Sequence, residues 1–491
     1  MKKLTVLIVA LLFLFPQVSN AGGFIDDSGK PGYWFTGKAV EQVDPKKPPI
    51  VFVHGLYNSN KIWFKKNDMS EQAWKSGYET AYIDLHHDKD MYTNGALLAE
   101  KLREMYEHFG RKMILVSYSK GGIDTQAALT YHDAHQYVEH VITLGTPHHG
   151  SQLADLAYSN WAGWLAGILG HKNDGVYSLQ TGYMASFRNK TDAHPDLKKT
   201  HYFTLAGHRI GHFGSVLFFG GVYLKLFGNN DGAVTETNAM LPYADHLITG
   251  DWNHFGIPIG NKTFPTFEAL LTKDPKNINV NSYKKSYLKE KRSYPFIRGG
   301  ENTGHKTEEF AVEKGVKELT VHWLSDHPER HIKLTDPAGH VTKDFALTET
   351  VDVFAGGYVH SAKIKNPLPG KWKMSSAVKQ KEAYLFVTTF DSPLNLQIDK
   401  TMKTQTSSLA NVKATVRTIR YQHGKQIEKK EVKSASVKAL QNKLSFKKSG
   451  MYSVTIDLSG KTADQTPFNR TIIRSIYVDD KGQTFENPLH N

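Results

Sequence analysis

The first candidate for chemistry in this chain of 491 residues is a serine that has a small residue two positions before it and another two positions after it. Ser119 lies three positions after the end of the apolar run Met113 to Val116 and precedes a helical pattern. Its surroundings, Ser-Tyr-Ser-Lys-Gly, are a variant of the nucleophile elbow, a sharp strand-to-helix turn that requires small residues two positions before and after the nucleophile. Gly121 meets this requirement, and Ser117 is small but is not the usual glycine. The pattern predicts Ser119 as a nucleophile.

A serine hydroxyl is a weak nucleophile unless a base accepts its proton, and we expect His254 to be that base. His254 follows a predicted strand, Leu247 to Thr249, near the end of the region that alternates between strands and helices. The chain has 24 histidines, so position along the chain decides the choice. His208, His212 and His246 are the alternatives.

The base needs an acid that fixes its tautomer and stabilises its charged form, and Asp231 is the candidate. It lies between the nucleophile and the histidine, which gives the chain order Ser, Asp, His. The surrounding Asn-Asp-Gly sequence would also form a tight turn without any catalytic role. Asp251 is the rival acid, although it lies only three residues before His254.

Two backbone N–H groups are candidates for stabilising an oxyanion. The sequence Val-His-Gly-Leu ends the first strong predicted strand, and the N–H of Leu56 would act together with that of Lys120, the residue after the nucleophile. Gly55 would keep this loop close to the site, and His54 precedes it. The alternative interpretation of His54-Gly55 is a simple turn at the end of a strand.

The elements that must position these residues alternate between short apolar runs and helical patterns from about residue 49 to 285. Strands that are buried on both faces and separated by helices indicate a parallel sheet covered on each side. The domain prediction for 22–285 is therefore an α/β layer fold. Its predicted strands include Ile50–Val53, Thr80–Leu85, Met113–Val116 and Val138–Leu144, and its predicted helices include Ala96–His108 and Gly122–Tyr131.

The composition changes after this region. Lysines and arginines crowd the stretch around residues 286–300, which predicts a solvated basic linker. Beyond it, short strands with period-two alternation and turn residues between them indicate an all-β region. Its length suits two β-sandwich modules, 301–399 and 400–491.

Residues 1–21 are typical of a secretory signal peptide, with a basic start, an apolar run of about twelve residues and a small-x-small cleavage site. A membrane anchor is the alternative, but it needs roughly 18 or more apolar residues, and Pro16 interrupts the run too early. We therefore expect a secreted, extracellular protein, and association with the cell surface is compatible with this expectation.

The chain contains no cysteine, which excludes disulfides, thiolate metal sites and cysteine nucleophiles. Its formal charge is +13, and removal of Lys2 and Lys3 with the signal leaves +11. Such a charge favours anionic surfaces such as membranes or cell walls, reached through the basic linker and the β-modules; solubility alone is the alternative explanation. The lysines are scattered without a recognition motif, so a nucleic-acid partner is not expected. The sequence does not predict an oligomeric state.

Several segments together resemble bacterial triacylglycerol lipases and related esterases of the α/β-hydrolase superfamily, over roughly residues 49–260. The segments are Val51 to Leu56, the Ser119 elbow, Gly145 to Gly150, Asn230-Asp231-Gly232 and Asn253-His254-Phe255. The resemblance implies the α/β-hydrolase fold, a Ser119–His254–Asp231 triad, and Leu56 and Lys120 as the oxyanion pair. It implies no cofactor.

A segment rich in apolar and aromatic residues, 151–228, separates the Gly145–Gly150 segment from the predicted acid. Such a segment suits a lid or an acyl-chain pocket, and ordinary core packing is the alternative. A cluster of potential metal ligands at His86, His87, Asp88 and Asp90 is better explained as a solvated loop, because adjacent residues rarely face one ion. No metal site is expected.

These observations predict hydrolysis of an ester or lipid substrate through an acyl-enzyme. The alternative function is that of a surface-binding or adhesive protein, in which the β-modules act and the hydrolase fold is idle.

Overall fold

The structure, a computed structural model, describes residues 29–162, 172–272, 293–326, 328, 331–349, 357–404, 412–434 and 446–487. The predicted signal peptide, 1–21, lies outside the described residues, as do residues 286–292 of the predicted linker.

The described residues of the first half of the chain form a seven-stranded sheet with the strand order β1-β3-β2-β4-β5-β6-β7. All neighbouring strands are parallel except β1, which pairs antiparallel with β3. This mostly parallel sheet confirms the predicted fold class. Its strands are β1 (Trp34–Thr36), β2 (Ile50–Val53), β3 (Thr80–Ile83), β4 (Met113–Tyr118), β5 (Val138–Leu144), β6 (His201–Gly207) and β7 (Asp245–Gly250).

Helices cover both faces of this sheet, α1 and α9 on one face and α2 and α3 on the other. The helices described in this half of the chain are α1 (Met69–Lys75), α2 (Met91–Phe109), α3 (Lys120–Tyr131), α4 (Gln152–Ala157), α5 (Asp174–Ser178), α6 (Thr181–Thr191), α7 (Val216–Leu224), α8 (Glu236–Ala239) and α9 (Gly260–Phe267). Short 3₁₀ turns occupy Asn60–Trp63, Ala134–Tyr137, Pro195–Lys199 and Glu268–Leu270.

Strand β2 shows why the sheet needs cover on both sides. Its side chains alternate, so Ile50 and Phe52 pack in a core with α1 and α9, whereas Val51 and Val53 pack in a second core with α2 and α3. All four residues of β2 are fully buried, which accounts for the uninterrupted apolar run in the sequence.

Where the structure describes the second half of the chain, it contains two antiparallel sheets, which we call sheet C1 and sheet C2. Sheet C1 contains seven strands: β8 (Phe296–Val312), β9 (Glu318–Ser325), β10 (Lys333–Thr335), β11 (Val341–Thr342), β12 (Ala346–Glu349), β13 (Tyr358–Lys365) and β14 (Gly370–Asp391). Sheet C2 contains five: β15 (Lys413–Gln422), β16 (Lys425–Ser434), β17 (Gly450–Lys461), β18 (Pro467–Val478) and β19 (Thr484–Phe485). Helix α10 (Leu394–Thr404) lies between them in the chain.

The structure differs from the expected linker at one end, because Phe296 to Gly300 already belong to β8. The apolar pair Phe296 and Ile297 is buried, so the charged segment gives way to a strand where apolar residues return. The proposed boundary near residue 400 falls within α10. The division into two β-sandwich modules stays a prediction.

In the described part of the chain, no helix is both long and apolar enough to cross a membrane.

Candidate active site

Ser119 occupies the tight turn between β4 and α3. Its backbone has φ 52° and ψ −130°, a conformation that few non-glycine residues adopt. The N–H of Ser119 donates to the carbonyl of Leu144 on the neighbouring strand, over 2.9 Å. The turn therefore presents the Ser119 side chain beyond the carboxyl end of the sheet, where ligands bind in open α/β folds.

The small residues of the elbow are required by close contacts. A Cβ atom on Gly121 would lie 2.3 Å from the carbonyl oxygen of His54, so a side chain cannot fit there. Ser117, which replaces the usual glycine, is fully buried and its Oγ lies 2.8 Å from Oγ1 of Thr125. The extra hydroxyl thus has a hydrogen-bond partner, which explains how the elbow accommodates it.

The predicted triad residues lie in one hydrogen-bonded row. Oγ of Ser119 is 3.1 Å from Nε2 of His254, and Nδ1 of His254 is 2.7 Å from Oδ2 of Asp231. The acid is 1% exposed and the histidine 7% exposed. The structure thus brings together three side chains that are widely separated in the sequence, in the geometry that serine nucleophiles use.

Further contacts hold the base and the acid in place. The second carboxylate oxygen of Asp231 accepts hydrogen bonds from the backbone N–H groups of Ala233 and Val234, over 2.9 and 2.7 Å. The hydroxyl of Tyr118 donates to the carbonyl of His254 over 3.0 Å. These contacts fix the orientation of both members before any substrate binds.

The alternatives weighed from the sequence lie elsewhere. The carboxylate of Asp251 approaches His208 and Arg209, at 3.9 and 3.6 Å. The two ring nitrogens of His246 contact Thr204 and Thr249. His212 is exposed on a loop.

The candidate oxyanion loop lies against the nucleophile. A Cβ atom on Gly55 would be 2.7 Å from Cβ of Ser119, so glycine allows the loop to approach this closely. Leu56 and Ser119 line the same cavity, and Lys120 begins helix α3. The first backbone N–H groups of a helix have no partner within it, which makes this end of α3 suited to a developing negative charge.

A buried ion pair lies beside the elbow, and the sequence pattern had not led us to predict it. Nζ of Lys120 is 2.6 Å from Oδ1 of Asp124, and both side chains are almost fully buried. The other oxygen of Asp124 accepts from Nδ2 of Asn94 over 2.9 Å. Burial raises the pKa of Asp124, and the neighbouring Lys120 ammonium opposes this effect. The spacing of four residues on one helix was the available signal.

A cavity of about 120 Å³ opens beside Ser119 and His254. Many of its walls come from the segment 151–228, so residues of this segment do line a pocket at the candidate nucleophile. Apolar side chains predominate, among them Leu56, Leu153, Leu156, Val176, Leu179 and Phe219. The Trp164, Leu165, Ile168 and Leu169 side chains of this segment lie outside the described residues.

Potential metal ligands occur away from this cavity. Within the described ranges, one group has suitable types and spacing: ligand atoms of Asp133, His135 and Asp196 lie within 4.8 Å of one another. Asp133 follows the end of α3 that is opposite to Ser119. Residues 86–90, the candidate cluster of the sequence, lie in a loop between β3 and α2.

Solved structures similar to this chain include lipases and esterases. The lipase BlEst2 from Bacillus licheniformis, in its propeptide form, is 69% identical, with a TM-score of 0.89 over 94% of this chain and 100% of its own. The mature form of BlEst2 is 71% identical over 50% of this chain and 100% of its own, with a TM-score of 0.49. The metagenomic carboxyl esterase MGS0156 is 19% identical over 49% of this chain and 81% of its own, with a TM-score of 0.40.

No protein-family model matches the chain. No curated protein matches it either.

Proposed function

The chain belongs to the bacterial lipases and esterases of the α/β-hydrolase superfamily and is a carboxylic ester hydrolase, and from this premise we propose that it works through a Ser119–His254–Asp231 triad. The observation that carries the proposal is the continuous row of short distances from Ser119 Oγ through the His254 ring to Asp231. The alternative of an idle hydrolase fold leaves this complete row unexplained.

In the proposed reaction, Oγ of Ser119 attacks the carbonyl carbon of the ester while Nε2 of His254 takes the hydroxyl proton. Asp231 stabilises the imidazolium that forms. The carbonyl oxygen becomes an oxyanion, which the N–H groups of Leu56 and Lys120 stabilise by hydrogen bonds. The intermediate collapses to an acyl-enzyme, and the alcohol leaves with the proton held by His254.

The second half of the cycle restores the free serine. Water attacks the acyl-enzyme as His254 accepts one of its protons, and the carboxylic acid leaves as Ser119 regains its proton. The apolar cavity beside Ser119 would hold the acyl chain, because burying hydrocarbon in an apolar pocket is favourable. Ester and lipid substrates both fit this chemistry.

We extend the proposal to the route by which the protein is made. Residues 1–21 would direct export and be removed, so the enzyme would act outside the cell. The chain would also be a precursor, because the relative that matches 94% of it is a lipase in its propeptide form. Mass spectrometry of the active enzyme from culture medium would test both points. An N-terminal peptide that begins at Gly22 supports removal of residues 1–21, and an intact mass below that of residues 22–491 supports removal of a propeptide.

The catalytic assignment is tested with p-nitrophenyl butanoate and the variant Ser119→Ala. We expect loss of hydrolysis by a factor of at least about 10³, since a triad acts as a unit. The control is Ser459→Ala, which removes an exposed serine from β17 and should keep wild-type activity. Retained hydrolysis in Ser119→Ala with an unchanged melting temperature would contradict the assignment.

A further inference from the structure

Several helices that line the active-site cavity also face the C-terminal sheets. Helices α4, α5 and α7 each contribute side chains to the cavity wall, among them Leu156, Val176 and Phe219. Other residues of these helices pack against side chains from sheets C1 and C2, which begin more than 70 positions further along the chain.

Phe219 of α7 is the clearest shared residue. It lines the cavity, and its ring centroid lies 5.7 Å from that of His322 on β9, at an interplanar angle of 86°. Leu156 of α4 also lines the cavity and belongs to the same hydrophobic cluster as Leu324 and Leu385 of sheet C1. A single layer of side chains, which includes Phe219 and Leu156, therefore separates sheet C1 from the cavity beside Ser119.

Sheet C2 supports the wall at a second place. Ala157 lines the cavity and packs in one cluster with Tyr421 and Met451 of sheet C2. The hydroxyl of Tyr421 donates to the carbonyl of Tyr158 over 3.0 Å, and the two rings meet edge to face at 5.1 Å. The end of α4 is therefore held by packing and by a buried hydrogen bond.

A backbone contact keeps sheet C2 at a fixed distance from the hydrolase region. The N–H of Gly182 in α6 donates to Oγ of Ser475 on β18 over 2.8 Å. A Cβ atom on Gly182 would lie 2.8 Å from the carbonyl oxygen of Ser475, so only glycine allows this approach. Such close contact leaves the sheet little freedom to shift relative to the helices.

We propose, building on the ester hydrolase function above, that sheets C1 and C2 determine which acyl chains the cavity of the full chain accepts. The physical reason is that protein interiors are close-packed, so a wall helix can move outward only if the layer behind it yields. Phe219 and Leu156 line the cavity directly, and His322 and Leu324 act through them as positioning residues. Tyr421 is a positioning residue that acts through the end of α4, at Ala157 and Tyr158. These positioning residues therefore limit how many additional methylene groups of an acyl chain the cavity can hold.

The alternation of side chains along β9 offers a matched pair of variants. His322 faces α7, whereas Val321 points to the opposite face, into the core of sheet C1. Both residues are fully buried. His322→Ala removes the ring behind Phe219, and Val321→Ala removes buried atoms from the same strand without touching the cavity helices. Comparison of these two variants distinguishes an effect on the cavity wall from an effect of lower protein stability.

The experiment measures kcat/KM of the full chain for p-nitrophenyl butanoate and p-nitrophenyl octanoate. We expect the octanoate-to-butanoate ratio to rise at least about threefold in His322→Ala, because one methylene group in an apolar pocket changes selectivity tenfold or more. The ratio should stay at the wild-type value in Val321→Ala. Leu324→Val, a milder change on the same face as His322, should raise the ratio in the same direction and serves where His322→Ala does not fold.

An unchanged ratio in folded His322→Ala or Leu324→Val would overturn the inference, as would an equal rise in Val321→Ala. Melting temperatures of all variants establish that they are folded. Absence of hydrolysis of both esters by the wild-type full chain and also by its processed form would overturn the proposed function and this inference together. An inactive full chain whose processed form is active would overturn this inference alone. Hydrolysis that depends on Ser119 but shows no change in ratio would overturn this inference alone.

Discussion

Nδ1 of His54 lies 2.8 Å from the carbonyl oxygen of Gly55, and this carbonyl belongs to the same peptide unit as the N–H of Leu56. Because a peptide unit is planar, fixing its oxygen also fixes the direction of its N–H. Nε2 of His54 accepts the backbone N–H of Leu85 over 2.9 Å, so Nδ1 carries the proton and donates to Gly55. Burial lowers the pKa of His54, which keeps the ring neutral in this role.

His54→Ala should therefore lower kcat while leaving KM nearly unchanged. The variant no longer holds the peptide unit that carries the Leu56 N–H. Complete loss of one oxyanion donor typically lowers kcat by a factor of about 10² to 10³. Because the Leu56 N–H would be misoriented but still present, we expect kcat to fall by a factor of about 10 to 10². Steady-state kinetics with p-nitrophenyl butanoate separates the two constants. A variant that raises KM at constant kcat would show that His54 affects substrate binding instead.

Asp231→Asn should reduce kcat by about 10³ to 10⁴, because an amide cannot stabilise the imidazolium and favours the wrong tautomer of His254. The Asn oxygen can still accept the N–H groups of Ala233 and Val234, so the melting temperature should change little. Asp251→Asn is the matched control, since this exposed acid faces His208 and Arg209 and should be dispensable. Equal losses in both variants would contradict the assignment of the acid.

Asp155 should make the stability of the full chain depend on pH. Burial raises the pKa of Asp155 to about 6, although hydrogen bonds from Ser475 and Thr181 oppose this effect. In the unfolded chain the pKa of an aspartate is about 3.9. The folded protein therefore binds more protons between these values, so this contribution to stability is complete below about pH 4 and is lost as the pH rises through about 6.

The variant Asp155→Asn cannot ionise and should not lose stability in this way. Its melting temperature relative to wild type should therefore be higher at pH 7.5 than at pH 4.5, as measured by calorimetry at both pH values. A difference that is the same at both pH values would show that Asp155 does not titrate in this range.

The sequence was most informative where the chemistry is local. The elbow at Ser119 is recognisable because strand, turn and helix follow one another within a few residues, and the sheet is recognisable because strands buried on both faces are apolar throughout. The choice between Asp231 and Asp251 was harder, since both lie near His254 in sequence. Their side-chain directions depend on how β6 and β7 are placed in the sheet.

Contacts between distant parts of the chain were beyond sequence reasoning. Nothing around Gly182 indicates that a strand 293 positions later will lie against it. Phe219 both lines the cavity and packs against sheet C1, and this could not be predicted either. An apolar residue in the sequence is compatible with a pocket wall, a core or an interface between elements. The buried pair Lys120–Asp124 also gave no signal beyond its spacing, since charged residues are usually exposed.

If Ser119 is the residue that becomes acylated, a reagent that modifies activated serines should label this residue. The full chain is treated with diethyl p-nitrophenyl phosphate, which phosphorylates an activated serine, and the modified peptide is located by mass spectrometry. We expect a single adduct on Ser119, formed in step with the loss of esterase activity, and a much slower reaction in His254→Ala. Loss of activity with an adduct on any other residue, or with none, would show that Ser119 is not the nucleophile.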